Sequence, residues 1–309
     1  MIELAKNRAG IYFVLWLLLV VYAASRVLQV FPGRIPMLAV VVLHVIPPAV
    51  FALIHGSMFY RLRTMLIFFG ICLVIGNIFE NLGASTGFPY GPYYFTNLMG
   101  PKLFVVPVFL GLAYVGMAYL SWMLARLILR ETECPLVGSR VVTVPLIAGV
   151  IMVAWDFCMD PIWSTILHAW IWRRGGAYFG VPVSNFVGWY IAVYVIYQLF
   201  AFYIRNRSDG LRNRSHAPGL MPSGYWRLAI LFYAVSAAGN LLLVIPRAGF
   251  VAVSDATGTQ WKVSDITGAT ALSSIFTMGA FALAAWLGLD GESTKEDRLS
   301  GTPLPEITS

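Results

Sequence analysis

Eight stretches of the chain are apolar for long enough to cross a bilayer. They run at about 11–30, 35–54, 65–82, 103–127, 141–157, 186–203, 226–245 and 269–287. A helix needs about 20 apolar residues to span the hydrocarbon, so each run predicts one transmembrane helix. Together they predict an all-α, polytopic membrane helix bundle of about eight transmembrane helices, with seven as the nearest alternative. Lys6 and Arg8 precede the first run, as in a secretory signal, but the run is long for one and reads as a retained helix. Pro47 and Pro48 fall inside the second run and predict a kink or break there. The runs make one domain, 1–289. The polar residues 290–309, rich in Ser, Thr, Pro and acids, predict a disordered tail.

Composition agrees with the pattern. The chain is 59% hydrophobic and only 11% charged, against about 25% charged in an ordinary soluble domain. Its net charge of +7 points to no nucleic-acid partner, because the basic residues are scattered between apolar runs rather than gathered in a soluble patch. With eight spans both termini share a side, and two-thirds of the 21 lysines and arginines fall on it. The positive-inside rule then places both termini in the cytoplasm, with the chain in the cell membrane. Cys72, Cys134 and Cys158 are too widely spaced for a disulfide framework or a zinc pattern. His44, His55, His168 and His216 form no helical HxxxH cluster, which argues against a histidine-rich di-iron site. No metal or cofactor is called for.

Two stretches stand out because acids interrupt apolar helix. In the third run Asn77, Glu80 and Asn81 have i, i+3, i+4 spacing and share a face, with Gly83 expected to end the helix. In the fifth, Asp156 and Asp160 share a face at i, i+4 if the helix extends that far. An acid at the centre of a membrane helix costs roughly 2.5–3.5 kcal/mol on insertion scales, so such groups need a partner or a task. The structural alternative is that they pair with Lys102, Arg173 or Arg174, or cap loops; Asp160 before Pro161 also resembles a turn start. The catalytic reading is that a carboxyl in an apolar site keeps its proton and serves as a general acid.

Each acid is followed by a loop crowded with Gly, Pro and aromatic residues. Tyr90, Tyr93, Tyr94, Trp155, Trp163, Trp170, Trp172, Tyr178 and Trp189 flank the acids. Ring faces stabilise a cation by about 0.5–2 kcal/mol each, although rings at helix ends are also ordinary interfacial belts. The two stretches are expected to face each other. Gly83 to Gly87 matches Gly-x-Ser-x-Gly, but without the strand–turn–helix context of a nucleophile elbow it reads as chance. Asn185 either positions a water or caps the sixth helix. His168 reads as interfacial packing, with a proton relay as the alternative.

At these residues the chain resembles the membrane carotenoid-biosynthesis family that includes the carotenoid 1,2-hydratases and bisanhydrobacterioruberin hydratases. The resemblance is carried by Glu80-x-x-Gly83-x-x-Thr86-Gly87-x-Pro89-Tyr90-Gly91-x-Tyr93, then Asp156-x-x-x-Asp160-Pro161, then Trp170-x-Trp172. It continues through Gly176-x-Tyr178-Phe179-Gly180-Val181-Pro182-x-x-Asn185-Phe186-x-Gly188-Trp189. It implies addition of water to the terminal C1,C2 double bond of an acyclic carotenoid end group, with Glu80, Asp156 and Asp160 catalytic. Asn77, Asn81, Thr86, Tyr90, Tyr93, Trp155, Trp170, Trp172, Tyr178, Asn185 and Trp189 would meet the substrate. Its implied partners are an isoprenoid, the lipid bilayer and other enzymes of the pathway. Competing readings are a non-catalytic isoprenoid or pigment carrier, a proton-coupled transporter and a terpenoid isomerase.

Overall fold

The computed structural model describes residues 2–31, 34–206, 221–245 and 251–299. Its helices are α1 (Ile2–Leu28), α2 (Met37–Tyr60), α3 (Leu62–Thr86), α4 (Val108–Ile128), α5 (Arg140–Pro161), α6 (Val183–Asn206), α7 (Ser223–Leu241), α8 (Val263–Ser273) and α9 (Ala280–Leu299). A wider turn at Ser274–Gly279 joins α8 to α9, so they form one span. Among the described residues, eight helical segments are long and apolar enough to cross a membrane. The protein is an all-α bundle integral to a membrane.

The central helix is α4. It is buried along most of its length and packs against α2, α3, α5, α7 and α9. Its Gly116 lies against Pro48, where a Cβ would come within 2.8 Å of the proline Cβ. No break occurs at Pro47 and Pro48: α2 continues through both, and both are buried, Pro48 against α4. Tertiary packing outweighs the local cost of proline.

Other boundaries also move. The apolar residues 103–107 do not begin the fourth helix; they fall in a hairpin of β2 (Lys102–Leu103) with β3 (Val106–Pro107). Gly83 does not end α3, which runs to Thr86 and is closed by the left-handed Gly87, φ 83°. Asp160-Pro161 starts no turn, because α5 passes through Pro161 into one wider turn at Ile162–Ile166. The last helix carries on past Asp290, where the tail was expected to begin, to Leu299; residues 300–309 lie outside the described residues.

The two acid-bearing stretches meet at one end of the bundle. Strand β1 (Tyr93–Phe95) pairs antiparallel with β4 (Trp170–Trp172), setting Tyr93 opposite Trp172 and Phe95 opposite Trp170. The ladder extends through Arg173 N–H to Pro92 O at 2.9 Å and Thr96 N–H to Ala169 O at 3.0 Å. A further hairpin of β5 (Ala252–Ser254) and β6 (Gln260–Lys262) lies on the same side of the membrane.

Candidate active site

The β1–β4 pairing draws α3 and α5 together over their acids. Glu80, Asp156 and Asp160 are each at least 96% buried, and among the described residues none of them forms an ion pair. The cations considered as partners are engaged elsewhere or exposed. Lys102 Nζ donates to Phe95 O at 2.7 Å, Arg173 lies over the Tyr94 ring at 4.9 Å, and Arg174 is exposed.

Neutral donors hold the acids instead. Tyr93 OH donates to Glu80 Oε2 at 2.5 Å, and Tyr114 OH to Glu80 Oε1 at 2.6 Å. Burial, and then the Glu80 carboxyl beside it, hold the Tyr93 phenol well above its ordinary pKa. It therefore stays protonated as a donor across neutral pH. Trp170 Nε1–H donates to Asp160 Oδ1 at 2.9 Å, with Trp172 Nε1 at 3.4 Å from the same oxygen. Asn185 is not a helix cap. Its Nδ2 bridges the aspartates, at 2.6 Å from Asp160 Oδ2 and 3.1 Å from Asp156 Oδ2. Both hydrogens of that amide are then committed. Asp156 Oδ1 is buried and accepts no hydrogen bond from the protein.

Between Glu80 and Asp160 lies a cavity of about 20 Å³, room for about one water molecule. Its walls include Tyr90, Tyr93, Trp170, Trp172, Asn185 and Trp189, completed by Phe95, Leu110 and Met159. Tyr90 reaches it because Gly83 and Gly188 leave room on both sides: Cβ atoms there would fall 2.4 and 2.7 Å from the tyrosine ring. Trp189 stacks on Tyr114, centroids 4.5 Å apart and 9° between planes. Trp155 packs edge-on to Trp189 and lines an adjoining chamber of about 50 Å³ that shares Leu110, Met159 and Trp170 with the first.

Five of the expected substrate-binding residues do not join this cavity: Trp155 lines only the adjoining chamber, and four others turn elsewhere. Asn81 Nδ2 donates to Asn77 Oδ1 at 2.9 Å, and its own Oδ1 faces the Val105 N–H at 3.4 Å, which ties it to the β2–β3 hairpin. Thr86 turns back to Leu82 O at 2.7 Å and accepts from Phe88 N–H, a helix-end role. Tyr178 stacks on Phe157 at 4.3 Å. Asn77 lines a lipid-side groove rather than the inner cavity. Tyr114 went unrecognised in the sequence. The available signal was a phenol inside a long apolar run, since a buried hydroxyl needs a partner.

Fold and site together define an integral membrane protein that keeps an acid–amide centre inside aromatic walls at one end of its bundle. Residues 12–254 match the family described as carotenoid biosynthesis protein, and the chain belongs to that family. It therefore has a role in carotenoid biosynthesis, with an isoprenoid substrate met in a lipid environment. No curated protein matches the chain, and no solved structure does.

Proposed function

We propose that the protein is a hydro-lyase that adds water across the terminal C1,C2 double bond of an acyclic (ψ) carotenoid end group. The observation that carries this reading is the one-water cavity with Glu80 on one wall and Asp160 on the other, Asp160 being joined to the buried Asp156 through Asn185. Hydration of an unactivated trisubstituted alkene needs an acid on one side and a held water on the other, and this arrangement offers both.

The steps balance without an oxidant or reductant. A carboxylic acid of the cluster gives its proton to C2, and the double-bond electrons form the new C–H bond. The resulting tertiary cation at C1 sits among Tyr93, Trp170, Trp172 and Trp189, whose faces contribute about 0.5–2 kcal/mol each. Water attacks C1, and its surplus proton passes to a second carboxylate. The product is a tertiary alcohol, heavier than the substrate by one water.

Proton transfer by a placed group is worth about 10²–10⁴-fold. The Glu80→Gln and Asp160→Asn variants should therefore each lose at least about 100-fold of the conversion while remaining folded, because an amide keeps the size and much of the hydrogen bonding. The test is co-expression in a host making an acyclic carotenoid, with mass analysis of the extracted pigment. Unchanged pigment bound to the wild-type protein would favour a pigment-binding role. A product of unchanged mass but altered double bonds would favour an isomerase.

A further inference from the structure

A groove of about 420 Å³ lies between α3, α4 and the β2–β3 hairpin. Its rim residues Val74, Ile78, Leu103 and Val108 are exposed on the face that meets lipid. The α3 and α4 faces carry Gly76 and Gly111: a Cβ at Gly111 would come within 2.8 Å of Leu73 Cδ2. Among the residues lining the groove Glu80 is the single carboxylate, and it also lines the one-water cavity. Leu110 lines the groove, the one-water cavity and the adjoining tryptophan chamber. One carboxyl and one apolar side chain thus stand between the bilayer and the inner site.

We infer that this groove is the binding site for the polyene, entered sideways from the bilayer, and that Glu80, rather than the aspartate pair, delivers the proton. The inference rests on the hydratase reading for its second half. A carotenoid dissolves in lipid, so a lipid-facing groove is where it is found at highest concentration. An end group moving inward past Leu110 meets Glu80 first. Asp160 is reached only from the inner cavity, and its Oδ2 is already joined to Asp156 through Asn185. The aspartate side therefore holds the water and takes its surplus proton, while Glu80 gives its proton to C2.

The groove is tested by labelling. All three native cysteines are buried, so Ile78→Cys, on the rim, can be modified selectively with pyrenyl maleimide. Leu283→Cys, equally lipid-exposed but on α9, is the control. Labelled Ile78→Cys should lose at least tenfold of the acyclic polyene that the unlabelled protein retains on purification, and labelled Leu283→Cys should keep it. Undiminished polyene binding by labelled Ile78→Cys overturns the groove, whatever reaction the protein performs. Blocked binding in a protein that never makes a hydrated product upholds the groove and removes the hydratase reading.

The proton assignment is tested separately in heavy water. With Glu80 as donor, Asp160→Asn still passes deuterium to C2, and loss of a proton from the cation returns a deuterated, unhydrated polyene. Glu80→Gln returns it unlabelled. The reverse pattern makes the aspartate side the donor.

Discussion

The bundle buries charge at both ends and treats the two cases differently. At the end where α2 and α4 finish, Arg126 is wholly buried. It donates to Tyr60 OH and to Glu133 O, and its Nε–H reaches Glu131 O at 2.8 Å. Trp122 Nε1–H also donates to Tyr60 OH at 2.8 Å, and the guanidinium lies 4.9 Å from the Phe59 ring centre. Nearby, His55 has both ring nitrogens occupied, by Tyr119 OH at 2.6 Å and Tyr225 O at 2.9 Å. Among the described residues, no buried nitrogen or oxygen of these side chains lacks a partner. At the other end three carboxyls are held by neutral donors, one oxygen of Asp156 stays unclaimed, and a water-sized space adjoins Glu80 and Asp160. A closed network is what stability asks of a buried charge. An open acceptor in a carboxyl cluster that borders a cavity through its other members is a cost that a chemical task explains.

The contrast is broken most directly at Arg126. Arg126→Met strips the guanidinium donors from Tyr60 OH, which keeps Trp122 Nε1–H, and from two part-buried backbone carbonyls, and a buried acceptor left without a donor costs about 1–3 kcal/mol. Unfolding in detergent should move to a markedly lower midpoint, with poor recovery of protein from the membrane. Glu80→Gln should show the opposite profile, a nearly unchanged midpoint with conversion lost. A folded but inactive Arg126→Met, or an unfolded Glu80→Gln, would remove the distinction between the two ends.

Much of this was legible in the chain, for physical reasons that also mark where legibility stopped. Eight spans show in the sequence because the bilayer imposes a length and polarity that few residues can hide. The acids show because an apolar helix exposes every exception. Arg126 was less legible: it stands near the end of a run and counts with the other basic residues in the charge bias, yet it is wholly buried. Partnerships across helices were not legible. Nothing in the spacing ties Tyr114 to Glu80, thirty-four residues apart, or Asn185 to two aspartates on another helix. Asn81 and Thr86 lie within a few residues of Glu80, yet their hydrogen bonds run to Asn77 and Leu82. Sharing a helix face does not settle which cavity a side chain meets, because the neighbouring helices decide that.

A smaller effect is expected at the bridge between the aspartates. Asn185→Leu removes both amide hydrogen bonds and leaves two carboxyl oxygens without that donor. Folding should weaken by about 1–3 kcal/mol, and conversion should fall about as far as in Asp160→Asn. Asn185→Gln, which keeps the amide but lengthens the side chain, should recover stability better than activity. Equal recovery of both would make Asn185 a structural tie, and the open end of the bundle would then resemble the closed one.

The mildest test lies outside the membrane, in the β5–β6 hairpin. Asp255 Oδ1 accepts from Thr257 N–H at 2.8 Å, Thr257 Oγ1 at 2.6 Å and Thr259 N–H at 3.2 Å, and Oδ2 accepts from Trp261 Nε1–H at 2.9 Å. Trp261 in turn packs edge-on to Phe179, with centroids 5.4 Å apart. Partial burial works against the charge, yet these hydrogen bonds outweigh it and hold the Asp255 carboxyl below its ordinary value. A depressed carboxyl pKa stabilises the folded hairpin at every pH above the unfolded value, about 3.9, and that contribution fades as pH falls through the lower folded value. Protection of residues 251–262 from proteolysis should therefore be flat from pH 7 to about 5 and decline below about 4. Asp255→Asn should lower protection at pH 7 and abolish that decline. A variant that still loses protection in acid would assign the effect to another group, and charge would then matter to this surface less than to either buried end.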